Sequence, residues 1–388
     1  MHILVAPNAF KKSLDAAAAA AAISRGFQAS RLTCTCTAFP VGDGGDGTAG
    51  LITSHLQGEL VSVVVSDPLG RKITSRFGLI DGGRTAVIEM ADAAGLRLLQ
   101  ARELNPLTAG AWGTGEMITA ALDRGVKKVI LGMGGSATVD GGRSILEAVG
   151  VVFRDASGAA VEAGADGLGS AVGADLSGLD PRLRDCAIDI LCDVDNGLLG
   201  PHGAAAVFGP QKGATASQLP LLEAALARLS GIALRQTGKD MSAVTGGGTA
   251  GGAAAGLYAF LGAVLVPGID YFLNITRFDD TIPGSGLLVT GEGCIDDQSL
   301  HGKAPVGVAV RGKRAGLKVI GLAGMIPQPV PVQFRDYFDA LLCINDGSET
   351  PATMLLHTRI NLERTAFALG NQLAAGDFPR WPAWNAGC

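Results

Sequence analysis

Four glycine-rich turns in this chain carry side chains able to do chemistry. They are Gly42-Asp43-Gly44-Gly45-Asp46-Gly47-Thr48, Gly132-Met133-Gly134-Gly135-Ser136-Ala137-Thr138-Val139-Asp140-Gly141-Gly142, Cys192-Asp193-Val194-Asp195-Asn196, and Thr290-Gly291-Glu292-Gly293-Cys294-Ile295-Asp296-Asp297-Gln298. Glycine lets a backbone approach a ligand closely and leaves N–H groups open to an anion. Carboxylates beside such N–H groups would repel a bare pyrophosphate. A Mg²⁺ ion between them makes the two compatible. The combination points to magnesium-nucleotide chemistry.

Each motif also has a plainer reading. Asp193 and Asp195 follow an apolar strand and could cap a turn instead of meeting a metal. A helix-loop-helix calcium site is excluded there, because Gly197 stands where a ligand is required. Ser136, Thr138 and Asp140 could cap the helix behind them. Gly209-Pro210-Gln211-Lys212-Gly213 is either a surface turn or a device that aims Lys212 at phosphate. Lys11 and Lys12, just after the first strand, pose the same choice. Gly-x-Gly-x-x-Gly occurs at Gly42, Gly44, Gly47 and at Gly246, Gly248, Gly251, but with 57 glycines in the chain chance matches are expected. No Gly-x-x-x-x-Gly-Lys-Ser/Thr loop exists, since Gly302-Lys303 lacks the upstream glycine and is followed by Ala304. None of the five histidines lies near another at metal spacing.

The elements that must position these turns alternate. Residues 2–6 read as a buried strand, 15–27 as an alanine-rich helix, 33–41 as a second strand and 48–56 as a helix. Strand, glycine loop, helix is the order in which α/β sheets present ligand loops. From Glu59 the texture changes. Short strands at 61–66, 73–80 and 85–90 are separated by Asp67-Pro68-Leu69-Gly70 and Asp81-Gly82-Gly83. Turns this tight imply antiparallel hairpins. Alternation then resumes: a helix near 114–124, a strand at 128–131, a helix near 142–148, a strand at 188–192 running into Asp193, and a helix over 219–238. A strand at 287–289 ends at the Gly-Glu loop, followed by a helix at 306–315 and strands at 318–322 and 340–344. The tail from Phe378, rich in Pro and Trp, reads as irregular.

Composition narrows the class. At 388 residues the prior is two or three domains. With 47% hydrophobic but only 5% aromatic residues, small aliphatic side chains must fill the core. A net charge of −5 with no basic run argues against nucleic-acid binding. Seven cysteines without a Cys-x-x-Cys pair fit buried thiols in a reducing cytoplasm. Cys34 and Cys36 alternate on one face of a strand. Residues 241–269 lack charge, but their front half is glycine-rich and the apolar remainder falls short of the ~20 residues a membrane span needs.

Together these segments resemble the bacterial glycerate kinase family of the glyoxylate and sugar-acid pathways. The resemblance rests on Ala6-Pro7-Asn8-Ala9-Phe10-Lys11-Lys12-Ser13-Leu14, Pro40-Val41 with the first Gly-Asp turn, Ile88-Glu89-Met90-Ala91, Asn105-Pro106-Leu107, Gly134-Gly135-Ser136-Ala137-Thr138, Phe208-Gly209-Pro210-Gln211-Lys212-Gly213-Ala214, and Thr290 through Gly302-Lys303-Ala304-Pro305. It implies ATP-dependent phosphorylation of D-glycerate with Mg²⁺, the 2-hydroxyl favoured. It also implies two α/β domains, the second inserted into a Rossmann-like first, with the active site in the cleft between them. The change of texture at Glu59 and the return at Leu287 place the first domain at 1–58 and 288–388 and the inserted one, with its hairpins, at 59–287.

On that reading Asp43, Asp46 and Asp195 contact Mg²⁺, and Asp193 orients the substrate hydroxyl as base. Lys11, Lys212 and Lys303 meet phosphate or the glycerate carboxylate. Gly134, Gly135, Ser136 and Glu292 belong to the nucleotide-binding set. The chain departs from the family pattern at Asn8-Ala9, where Asp-Ser is usual, at Cys294, where Arg is usual, near Gly110-Ala111, and at Gly197. Losing Arg at 294 removes a planar clamp for carboxylate or phosphate. A kinase of another small hydroxy acid, a metabolite-binding regulator without catalysis, and a dehydrogenase are the competing readings.

Overall fold

The strands of the computed structural model are β1 (His2–Val5), β2 (Thr35–Ala38), β3 (Glu59–Ser66), β4 (Lys72–Ile80), β5 (Thr85–Glu89), β6 (Lys128–Gly132), β7 (Val152–Arg154), β8 (Gly173–Asp175), β9 (Ala187–Cys192), β10 (Val264–Pro267), β11 (Leu287–Cys294), β12 (Lys318–Met325) and β13 (Ala340–Cys343). The structure describes residues 1–327, 330–345, 347, 350–379 and 381. Most of the tail beyond Phe378 therefore lies outside the described residues.

Two compact units emerge, one discontinuous, Met1–Asp43 with Pro267–Cys388, and one continuous, Gly44–Val266. The joins fall earlier than the sequence placed them. The helix Thr48–His55 packs on β4 and β5 and so goes with the continuous unit. The helix Gly268–Ile275, which escaped the sequence reading, packs on the helix Ala304–Arg314 and goes with the other.

The discontinuous unit is built on a parallel five-stranded sheet in the order β13-β12-β11-β1-β2. Its inner strands are apolar on both faces, as a doubly covered parallel sheet requires. Ile3, Val5, Leu287, Val289, Ile320 and Leu322 pack with the helices Ala16–Ala29 and Pro351–Ala374. Leu288 and Val319 instead meet the helix Ala304–Arg314 at Gly312. The first two helices approach closely because each has a glycine at the crossing. A Cβ on Gly26 would lie 2.4 Å from the Glu363 carbonyl oxygen, and one on Gly370 would lie 2.2 Å from Ser30 Oγ.

The continuous unit holds a six-stranded sheet, β10-β9-β6-β5-β4-β3. The hairpins β3–β4 and β4–β5 are antiparallel, as the tight turns require, while β5, β6 and β9 run parallel. Asp67 Oδ1 accepts from the N–H groups of Leu69 and Arg71 and so closes the first turn. A second apolar cluster forms around the helix Leu219–Thr237 and Phe153, beside the small antiparallel sheet β7–β8. Alanine is frequent in all three clusters, which is how a chain poor in aromatics fills its interior. The suspect stretch 241–269 is a short helical turn, a glycine loop, the helix Ala253–Leu261 and β10. Among the described residues no helix is long and apolar enough to cross a membrane.

Candidate active site

In the continuous unit the three parallel strands β5, β6 and β9 end at one edge. They deliver Glu89, the loop after Gly132, and Asp193. Open α/β sheets bind ligands at this carboxyl edge. The turn 44–47 lies over the loop from β6. Gly134 N–H donates to Gly44 O at 3.2 Å, and a Cβ on Gly134 would sit 2.6 Å from Gly45 Cα. Gly135 has φ +70°, and a Cβ there would be 2.4 Å from Asp46 Oδ1. The Asp46 carboxylate is thus seated over Gly135, and glycine at both positions is what admits it.

Lys212 comes to the same loop from the turn Pro210–Lys212 and is 2% exposed. Its Nζ donates to Ser136 Oγ at 2.9 Å and to Thr138 O at 2.7 Å. Burial pushes the amine down to about 7, and the charge of Asp140 opposes that. Ser136 is therefore a partner of Lys212. Asp140 is a cap: its carboxylate accepts from the N–H groups of Gly142 and Ser144, both at 3.0 Å, and from Ser144 Oγ. Thr138 Oγ1 is buried without a hydrogen-bond partner. Asp193 is half-buried after β9 and Asp195 is exposed. Both add negative charge beside Cys192, whose thiol is pushed up mainly by burial.

Glu89 is missing from the sequence-derived set. It is 4% exposed, and its Oε1 and Oε2 accept from the N–H groups of Gly47 at 2.6 Å and Ala49 at 3.2 Å. Burial lifts its pKa to about 7 against those two hydrogen bonds. The signal was a lone acid in the apolar run Ala86-Val87-Ile88-Glu89-Met90-Ala91.

A second group of polar residues stands at the carboxyl edge of the parallel sheet of the discontinuous unit. Asn8 follows β1; its Nδ2 donates to Asp43 Oδ2 at 2.9 Å and its Oδ1 accepts from Ala9 N–H. Asp43 is 3% exposed. Glu292, in β11, is 5% exposed and accepts from Ser299 Oγ at 3.0 Å. Burial first, then the charge of Asp43, raises Glu292 to about 7, while Lys303, Ser299 and Lys11 pull it down. Lys303 precedes the helix Ala304–Arg314, 3.7 Å from Asp296 Oδ1. Cys294 Sγ lies 3.5 Å from Asp296 Oδ2, and burial with that carboxylate pushes the thiol up to about 11. It is a neutral group at the position where the resemblance leads one to expect Arg.

The expected residues thus form two sets, Asp46, Gly134, Gly135, Ser136, Lys212, Asp193 and Asp195 in one unit, and Lys11, Asp43, Glu292 and Lys303 in the other. Among the described residues no three His, Cys, Asp or Glu side chains gather so as to hold a metal. Mg²⁺ needs no such cage, because one or two carboxylates with substrate phosphates complete its oxygen shell. Asp46 in the continuous unit and Asp43 in the discontinuous one are each a hard oxygen donor on glycine-rich backbone and each suits such a shell.

The model for the glycerate kinase family matches residues 3–374. The chain is 42% identical to a glycerate kinase of Bacillus subtilis (strain 168) over 366 residues, 94% of this chain and 96% of that one. It is 40% identical to glycerate 2-kinase of Escherichia coli (strain K12) over 344 residues, 89% and 90% of the two chains. A crystal structure from Salmonella typhimurium LT2, bearing the name glycerate kinase 2, superposes with a TM-score of 0.81 at 40% identity, covering 97% of this chain and 99% of that one.

Proposed function

The chain belongs to the glycerate kinase family, and from that premise we infer that it is a phosphotransferase moving the terminal phosphoryl group of ATP to D-glycerate, at the 2-hydroxyl. The observation that carries the reading is the loop 134–136, where a bare glycine backbone meets the Asp46 carboxylate and a serine hydroxyl accepts from the Lys212 amine. That set suits a phosphate group and its counter-cation. An anion against Lys212 restores the charge that burial withdraws.

Asp43, Asp46 and Asp195 would hold Mg²⁺, which neutralises charge on the phosphates. Asp193, at the end of a parallel strand, accepts the proton of the attacking hydroxyl and aims it. Lys11 and Lys303 face the anionic substrate groups, and Glu292 tunes the charge around Asp43. Phosphoryl transfer asks a protein mainly for position and electrostatics, which these groups supply. A cytoplasmic setting provides the ATP.

The test is ADP release by purified protein, coupled to a spectroscopic readout, over a panel of hydroxy acids with and without chelator. D-glycerate should drive release and chelation should abolish it. The neutral Cys294 beside Asp296 favours one competing outcome, turnover of another small hydroxy acid in preference to glycerate. Absence of release with every acid would leave a binding protein.

A further inference from the structure

We infer that Glu89 is a positioning residue for the phosphoryl transfer, acting through the backbone of Gly47 to fix the Asp46 carboxylate over Gly135; the inference rests on the kinase reading. The helix Thr48–His55 cannot cap itself. Its N-cap residue is Gly47 at φ +90°, a left-handed conformation that leaves no side chain to accept from the first turn. The missing acceptor comes from another element. Glu89, the last residue of β5, gives one oxygen to Gly47 N–H and the other to Ala49 N–H.

The turn ahead of the helix is held twice more. Thr48 Oγ1 accepts from Gly44 N–H at 3.1 Å, and Gly44 O accepts from Gly134 N–H. Asp46 lies between these anchors, so its carboxylate is placed by backbone ties and by Gly135 beneath it. Asp46, Glu89, Asp92, Arg76 and Arg97 share the wall of one cavity of about 310 Å³. Arg97 pairs with Asp92 there, and Glu89 spends both oxygens on the turn. An ordinary helix cap would stabilise the fold and nothing more. A positioning residue would lose its effect on turnover once Asp46 is gone.

A double-mutant cycle separates the two. Glu89→Gln retains one acceptor but turns an NH₂ toward the second N–H. It should lower kcat by at least ~10-fold in the Asp46 background and by less than ~3-fold when Asp46→Asn is already present. Equal losses in both backgrounds would overturn the inference. Glu89→Asp, which keeps the charge but withdraws it by one methylene, serves if Glu89→Gln does not fold. Hydrogen exchange gives a readout free of turnover. The amides of residues 46–49 should exchange faster in the variant while those of β5 and β6 keep their protection; unchanged exchange at 46–49 would also overturn it. Wild-type protein that releases no ADP with any hydroxy acid would sink the kinase reading, a result separate from either of these.

Discussion

Lys212 has left water for two oxygen acceptors, Ser136 and the Thr138 carbonyl, and this sets a pH signature. Its amine is pushed down to about 7 from an ordinary 10.5, so over that range the folded chain binds fewer protons than the unfolded one. Stability then rises with pH. Wild-type protein should gain melting temperature relative to Lys212→Met between pH about 7 and about 10, and calorimetry across that range would show it; a constant difference would place the amine in water. The carboxylates differ in what holds them: Asp43 is buried against Asn8, Asp46 is exposed but seated over Gly135, Asp193 is half-buried and Asp195 is exposed. Asp43→Asn, Asp46→Asn and Asp193→Asn should each lower kcat by at least ~10²-fold, Asp193→Asn most of all; melting temperature should barely change for Asp46 and Asp193, while the buried Asp43, which accepts from Asn8, should lose stability as well. Asp195, exposed and without the seat that Gly135 gives Asp46, should cost least. Asp140→Asn should do the reverse, lowering stability by ~1–3 kcal/mol because it weakens a buried acceptor of three donors. Cys294→Arg sets a cation beside Asp296. It should change KM for glycerate or ATP, and an unchanged KM and kcat for every substrate would make position 294 structural. At this scale the sequence points to the loops, because glycine-rich turns concentrate the polar side chains. Glu89 was not, since its partners lie 42 and 40 residues away and are backbone N–H groups that no residue type announces.

Among elements, those with a consistent pattern were readable and those with a reversed one were not. The inner parallel strands read as short continuous apolar runs, the hairpins from Glu59 alternate, and the helix Leu219–Thr237 follows period 3.6. The helix Pro351–Ala374 went unnoticed although it is long and well capped, with Thr350 accepting from Thr353 N–H and Pro351 in its first turn. Its inward face carries Thr358, Asn361, Leu362, Thr365, Ala366 and Leu369, while Leu356 and Ile360 are exposed, Leu356 by 82%. Polar residues inside and apolar ones outside hide the stripe. Its seat on the helix Ala16–Ala29 depends on the bare backbone at Gly26. Gly26→Ala would drive a methyl into the Glu363 carbonyl and should cost ~1–3 kcal/mol in denaturant unfolding, leaving kcat per folded molecule unchanged. The strands β7 and β8, three residues each, are too short for any periodicity to declare them.

For the whole molecule, the sequence reading expects one α/β unit to interrupt another with joins at 58/59 and 287/288, while packing divides the chain at Asp43/Gly44 and Val266/Pro267, because helices follow what they pack on. The continuous unit has its own sheet and two apolar clusters. Residues 44–266 produced alone should unfold cooperatively in urea. They should release no ADP with glycerate, lacking Asp43, Glu292, Lys303 and Lys11. Non-cooperative melting of that fragment would mean that its core depends on the rest of the chain.

The pairing of β1 with β11 has a consequence for synthesis. The two strands lie side by side, and Thr290 Oγ1 donates to Ala6 O across 284 residues of sequence. A ribosome adding about 5–20 residues per second leaves β1 without that neighbour for roughly 15–60 seconds. During that wait the inserted unit can emerge and complete itself, while an apolar segment, Ile3-Leu4-Val5-Ala6, stays open on one edge to any other nascent strand. The yield of active protein in a cell should therefore depend on translation speed and on chaperones that shield the first forty residues or so, even though the finished molecule buries that segment completely.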